Sequence, residues 1–239
     1  MKLVQSGESY KKAMQWLLLV GLWIYGAHLL SSLYQLWKDP TFLPIDHVVI
    51  TVPDDRIDQE VVKRLVTEQI KGGFFQVDQK SLQKHLMELP WVKNVSLRRI
   101  WPSHLSITMT EKQPFARWGK TGILSTEGEV FYPDSKTFPE GIPYLEGPDG
   151  SEGILVEQYH VFNQWVAPLH LQVQAVHLTE RGTWSIELSN GIPLMLGRRD
   201  IPFRVHRFLQ WFPSVVGGKE NAVERVDLRY ANGFVIQWK

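Results

Sequence analysis

Twenty-five consecutive residues, Ala13 to Trp37, contain no Asp, Glu, Lys or Arg, and beyond them apolar positions recur at strand and helix spacing to the end of the chain. A helix over 13–37 is about 37 Å long at roughly 1.5 Å per residue. The hydrocarbon layer of a bilayer is about 30 Å thick, so the run spans it with some tilt. Trp16 near one end, with Tyr34 and Trp37 near the other, falls at headgroup depth. Lys2, Lys11 and Lys12 precede the run, whereas Lys38 and Asp39 cancel just after it. The positive-inside rule therefore keeps a tail of residues 1–12 in the cytoplasm and sends the remainder outside. A cleaved signal peptide has a shorter apolar core and a small-residue cleavage site, and a buried core helix keeps a polar face. His28 has no intramembrane partner in a single span and reads as a tolerated polar residue rather than a proton relay.

Residues 38–44, with Asp39-Pro40 and Leu43-Pro44, form a short, proline-stiffened link. From Ile45 to Lys112 the pattern predicts strand, helix, helix, strand, strand. The run 47–52 is apolar and stops at Pro53. Val61, Val62, Leu65, Val66 and Ile70 repeat at helical spacing up to Gly72-Gly73. Asp78 is placed as an N-cap with Val77 and Leu82 as a hydrophobic staple. Leu82, Leu86 and Leu89 give the buried stripe of that second helix, and Pro90 closes it. Residues 92–100 read as a strand, Trp101-Pro102 as a turn, and 105–110 as a half-buried strand with Leu105, Ile107 and Met109 inward.

From Gln113 onward the pattern is mostly β. A hairpin is expected around Glu127-Gly128 and another at Asn190-Gly191, where Trp184, Ile186 and Leu188 alternate. A helix over 153–166 shares Leu155, Tyr159, Phe162, Trp165 and Val166 on one face. Asp200 is expected to cap a helix that has Pro202 in its first turn and Val205, Phe208, Leu209 and Phe212 facing the sheet. The chain closes on a last hairpin: Val226, Leu228 and Tyr230 alternate with Asp227 and Arg229, and Asn232-Gly233 signals a tight turn. On the return strand Phe234, Ile236 and Trp238 face one side and Val235 the other. The fold class is α+β: one membrane helix (13–37), a β-α-α-β-β domain (45–112) and a mostly antiparallel β domain with two helices (113–239).

Composition changes this picture little. The chain has 239 residues, 44% of them apolar, a net charge of +1 and no cysteine. Disorder, a nucleic-acid-type charge excess, disulfides and thiolate chemistry are thereby set aside. The eight histidines show no metal-ligand spacing. Gly119-Lys120-Thr121 lacks the glycine a phosphate loop needs five residues earlier, where Pro114 stands. Carboxylates are scattered: Asp54 with Asp55, Glu127 with Glu129, Glu140, Glu146. They read as solvated loop charges rather than a glycosidase pair. The cluster Arg198, Arg199, Arg204, His206 and Arg207 reads as a contact for an acidic partner or as a solvated helix face. No catalytic residue, cofactor or metal is assigned.

Three segments carry a family resemblance: Leu89 to Trp118 (LPWVKNVSLRRIWPSHLSITMTEKQPFARW), 189–200 (SNGIPLMLGRRD) and 226–238 (VDLRYANGFVIQW). Each resembles the corresponding segment of the FtsQ/DivIB family of bacterial cell-division proteins: the exit of a POTRA domain, a hairpin leading into a glycine-arginine-acidic turn, and the closing hairpin. The order of tail, span, POTRA domain and β domain is similar as well, so the likeness covers essentially the whole chain.

The resemblance implies a non-enzymatic, single-pass type II inner-membrane protein with its bulk in the periplasm and a place at the division septum. It implies a scaffold that binds the FtsB–FtsL pair and helps control septal peptidoglycan synthesis by FtsW and FtsI. In the family the last strand of the β domain receives a strand from FtsB. The matching positions are Tyr230, Asn232, Gly233, Phe234, Val235, Ile236 and Trp238, while Arg198 and Arg229 match positions that meet acidic groups on FtsB. The chain stops one residue after Trp238, so no contact from a longer tail is expected. A POTRA-type chaperone for secreted or outer-membrane proteins is the alternative. Periodicity alone leaves two readings of 234–238 open: a strand that fills its own domain's core, or one that offers its border to another chain by β-augmentation.

Overall fold

The computed structural model describes residues 6–38, 47–52, 56–70 and 77–239, with the surroundings of side chains in the first helix described over 14–35. Pro53, Gly72-Gly73, Asp54, Asp55 and the linker proline pairs fall outside these residues. So does the side chain of Trp37. Contacts divide the chain into two units, Met1–Thr110 and Glu111–Lys239.

In the first unit, helix α1 runs over Ser6–Lys38. Its segment Met14–Gln35 is long and apolar enough to cross a membrane, and none of it is buried against the protein. Residues 6–12 of the expected tail belong to the same helix. Strand β1 (His47–Thr51), helices α2 (Gln59–Gln69) and α3 (Gln79–Met87), and strands β2 (Val92–Ile100) and β3 (His104–Glu111) follow in the expected order. The sheet order is β1-β3-β2. β1 lies parallel to β3 in register His47↔His104 through Thr51↔Thr108. The three residues linking β2 to β3 are too few for a crossover, so those strands form a hairpin.

Both helices are started by carboxylates. Asp58 accepts from the N–H of Glu60 (2.8 Å) and Val61 (3.4 Å), and Asp78 from the N–H of Lys80 (3.0 Å) and Ser81 (3.1 Å). Each satisfies donors that a first helical turn leaves without partners. Val77 and Leu82 are buried together with Val62, Val66, Leu86, Trp91, Val92, Val95, Leu105, Ile107 and Met109. Leu89, expected in the α3 stripe, lies past the helix end and is only half-buried. There its carbonyl accepts from the N–H of Val92 and turns the chain into β2.

The second unit is one nine-stranded sheet carrying two helices. Its strands are β4 (Pro114–Trp118), β5 (Gly122–Ser125), β6 (Val130–Phe131), β7 (Tyr144–Glu146), β8 (Val173–Leu178), β9 (Trp184–Leu188), β10 (Pro193–Gly197), β11 (Val223–Asp227) and β12 (Val235–Trp238). The order across the sheet is β12-β11-β10-β9-β8-β7-β4-β5-β6. Helix α4 (Glu152–Val166) joins the parallel neighbours β7 and β8, and α5 (Ile201–Val215) joins the parallel neighbours β10 and β11. A parallel pair needs such a crossover, so the two helical stretches in the sequence account for two of the parallel ladders. Leu155, Phe162 and Val166 of α4 and Val205, Phe208 and Phe212 of α5 are buried with the inner sheet face in one core.

Asp200 stands at the N-cap of α5 but does not cap it with its side chain. Its backbone is left-handed (φ 52°, ψ 31°), and its main-chain carbonyl accepts from the N–H of Arg204. Gly197, also left-handed (φ 84°), begins this sharp β10–α5 turn, and the Asp200 carboxylate makes no capping hydrogen bond.

Candidate functional site

β11 and β12 carry the residues singled out at the C-terminus. β11 lies between β10 and β12, and Val226 is buried opposite Ile236. β12 pairs with β11 alone, in register Val223↔Trp238, Arg225↔Gln237, Val226↔Ile236 and Asp227↔Val235, with a bulge at Glu224. Among the described residues no strand lies on its other flank. The outer border of β12 is therefore open to another backbone.

Phe234 and Ile236 pack against the core as half-buried side chains. Phe234 meets Phe208 edge-on, with ring centroids 5.4 Å apart and planes at 90°. Such a geometry sets the positive edge of one ring against the negative face of the other. Trp238, expected on the same face, remains 44% exposed, as do Val235 at 48% and Tyr230 at 55%. The strand thus divides its apolar residues between anchoring itself and presenting a surface.

The connection between the two strands is not the tight turn that Asn232-Gly233 announced. Strand pairing ends at Asp227↔Val235, leaving residues 228–234 as a wide loop, and neither Asn232 nor Gly233 adopts positive φ. The cause is an arginine on α5. Arg207 donates to the carbonyls of Ala231 (2.7 Å), Tyr230 (3.0 Å) and Gly233 (2.7 Å). Its guanidinium also lies over the ring of Phe203 at 5.5 Å. At the other end of the loop Leu228 is buried, and its N–H donates to the carbonyl of Met195 (2.9 Å). Tyr230, expected to continue the alternation of β11, is consequently off the strand.

The predicted basic cluster separates into different roles. Arg207 is a loop clamp, and Arg204 reaches the carbonyl of Leu196 at 3.4 Å. Arg198 and Arg199 are exposed, with no hydrogen bond or ion pair to a described residue. Arg229 is held by Asp227: its Nε meets both carboxylate oxygens (2.8 and 3.0 Å) and a terminal nitrogen meets Oδ2 at 2.6 Å. Hydrogen bonding from Arg229 holds the Asp227 carboxyl below the usual carboxylate range, against an opposing push from burial. The same pairing raises the guanidinium further.

Because β10 and β11 are parallel and β12 runs back, Gly197, Arg198, Arg229 and the start of β12 share one end of the sheet. A Cβ placed on Gly197 would lie 3.1 Å from an Arg204 terminal nitrogen and 3.2 Å from Arg229 Cγ. A side chain at 197 would therefore crowd that corner. At the opposite end Gln237 donates to Glu224 (2.6 Å) and the N–H of Lys239 to the carbonyl of Ala222 (2.8 Å).

Elsewhere, Glu129 is bonded to Lys112 at 2.8 Å. Glu146, His177 and Ser185 stand in register on β7, β8 and β9, with His177 Nδ1 2.9 Å from Glu146. The Glu146 and His177 side chains are 49% and 37% exposed, and His177 makes no bond to Ser185. That arrangement is a solvated pair on a sheet face rather than an activated nucleophile. Among the described residues no three His, Asp or Glu side chains form a group that can hold a metal. Sequence reasoning placed Arg207 in a basic cluster and Asp227 in a strand alternation but missed what each of them holds. The Asp-x-Arg spacing of 227–229 is the local signal for the second, whereas nothing local signals the first.

A family model described as cell division protein FtsQ/DivIB, C-terminal, matches residues 116–229, and one described as POTRA domain, FtsQ-type, matches residues 43–112. β12 lies just past the first match. The chain is 43% identical over 201 residues to a cell division protein FtsQ of Coxiella burnetii, covering 84% of this chain and 83% of that one. It is 34% identical over 211 residues to that of Burkholderia pseudomallei, covering 87% and 84%. It is 32% identical over 221 residues to that of Shewanella oneidensis, covering 92% and 83%.

Proposed function

The chain belongs to the FtsQ/DivIB family of cell division proteins, and on that premise we propose that it is a non-enzymatic scaffold whose β12 takes up a strand from the FtsB–FtsL pair. In this reading residues 1–12 are the cytoplasmic tail and 13–37 cross the inner membrane. Residues 38–44 link that span to a POTRA domain (45–112) and a partner-binding β domain (113–239) in the periplasm. The assembled complex, with FtsW and FtsI, sits at the septum and controls peptidoglycan synthesis there. The observation that carries the proposal is the open border of β12, which among the described residues is paired on one flank only.

Magnitudes decide which residues matter. A four-residue edge strand offers about four outward main-chain bonds. At about 0.5–1.5 kcal/mol net each they supply roughly 2–6 kcal/mol. Association costs on the order of 4–15 kcal/mol, so main-chain pairing alone does not hold a partner. Exposed anchors must supply the rest, and Tyr230, Val235 and Trp238 are placed to do so. Arg198, exposed at the same end, adds orientation and on-rate for an acidic partner. Arg229 meets such a partner only in competition with Asp227.

The test is capture of the periplasmic part of FtsB–FtsL by the full-length chain and by its Val235→Glu and Trp238→Ala variants. Both side chains are exposed, so thermal unfolding should stay unchanged while capture is lost. Phe234 is a poorer probe because it also packs on Phe208. Undiminished capture by Val235→Glu overturns the interface and leaves family membership untouched.

A further inference from the structure

The end of β2 and the three-residue turn that follows it carry two exposed apolar side chains, Ile100 at 47% and Trp101 at 72%. Arg98, also exposed, precedes them on β2. Arg99 bonds the carbonyl of Val77 at 2.7 Å and so fixes this tip to the start of α3. This tryptophan and isoleucine at the end of a hairpin leave much of their apolar surface outside the buried core of their own unit. Exposure of this kind marks a contact surface.

The direction of the sheet says what that surface meets. β1 is parallel to β3, and His47, the first residue of β1, registers with His104, the first of β3, their rings 5.0 Å apart. Trp101 precedes His104 by three residues, so the tip and the start of β1 lie at the same end of the sheet. The start of β1 is also where the chain arrives from α1: eight residues, 39–46, separate Lys38 from His47. Fully extended, those steps reach at most about 30 Å. If α1 crosses a membrane, the end of the sheet that bears Trp101 is tethered within that reach of the bilayer surface, at a high effective concentration of lipid.

We propose that Ile100 and Trp101 form a foot that rests in the headgroup layer of the membrane spanned by α1, with Arg98 drawn to anionic lipid. Tryptophan suits that depth because its ring is apolar while its N–H keeps a polar partner. An arginine beside it gains from the negative surface potential of anionic headgroups. The foot fixes the height and tilt of the β1-β3-β2 sheet over the bilayer, which a tether alone leaves free. The inference rests on α1 spanning the membrane and is independent of strand docking at β12.

The chain has no cysteine, so single labels are straightforward. Full-length protein in nanodiscs containing phosphatidylglycerol would carry an environment-sensitive fluorophore on Ile100→Cys, on Gly21→Cys within α1, or on Glu88→Cys at the far end of α3. The expected result is blue-shifted emission, several-fold brighter than that of the Glu88→Cys label, for both the Gly21→Cys and Ile100→Cys proteins. The signal from the Ile100→Cys protein should fall when Arg98→Glu is added or when phosphatidylcholine replaces the anionic lipid. Emission from the Ile100→Cys label matching that of the Glu88→Cys label, with the Gly21→Cys label still in lipid, overturns the foot and leaves the span standing. A water-exposed Gly21→Cys label overturns the span and the foot together. Thermal unfolding of each variant confirms that it is folded.

Discussion

The guanidinium of Arg207, on α5, donates to the carbonyl of Gly233 at 2.7 Å, across 26 residues of sequence. With its bonds to Tyr230 and Ala231, this contact makes one side chain the organiser of the loop from which β12 starts. The border proposed to receive a partner strand is thus held in place from a helix that never touches that border's outer flank.

Arg207→Ala should destabilise the protein by about 2–3 kcal/mol, since hydrogen bonds to a charged group are worth about 1.5–3 kcal/mol and those of one guanidinium do not add. Urea unfolding measures the loss. Amide exchange at 230–234 should accelerate more than exchange in β9. Arg207→Lys should recover only part, because an ammonium cannot fork across three carbonyls.

The Asp227–Arg229 pair predicts a pH dependence. Hydrogen bonds from Arg229 depress the folded-state value of Asp227, so the unfolded chain binds more protons in the acid range. The stabilisation is complete above the unfolded carboxylate value of about 3.9 and disappears as pH falls through the lower folded value. Asp227→Asn should be less stable than the parent at pH 7, and in urea melts the gap should begin to close below the unfolded value of about 3.9 and vanish only below the lower folded value. Asp227→Asn also frees Arg229, so binding of an acidic partner segment should strengthen; unchanged or weaker binding argues against a role for Arg229 in docking.

Gly197→Ala should cost about 1 kcal/mol or more, because alanine is strained at φ 84° and its Cβ crowds Arg204 and Arg229. Urea melts measure that cost. If the arginine corner steers the partner, the association rate should fall more than the dissociation rate rises, which stopped-flow measurements at low salt resolve.

Much of the fold is legible because it is local. The strict alternation of Leu105, Ile107 and Met109 requires a strand with one buried face, and β3 buries all three. Asp78 caps α3 with the two N–H groups that lie within its reach. The apolar run around α1 is a matter of length and composition alone. Asn232-Gly233 is an equally local signal, and it was overridden: Arg207, more than twenty residues upstream, offers these carbonyls better partners than a two-residue turn does. Asp200 failed as a side-chain cap where its own backbone is left-handed, in place of the extended conformation that Asp58 and Asp78 adopt at their caps.

The chain's own order of residues determined the membrane-length helix, the helix starts, the buried faces of most strands and the aromatic character of the last one. Tertiary structure alone decided that β12 is one of the two edge strands among the described residues, that Phe234 turns inward onto Phe208 while Trp238 stays out, and that Arg229 is already engaged. Periodicity records which face of a segment avoids water. Which flank keeps its N–H and C=O groups unpaired depends on the neighbour that each strand finds, and here that follows from the α5 crossover placing β11 beside β10.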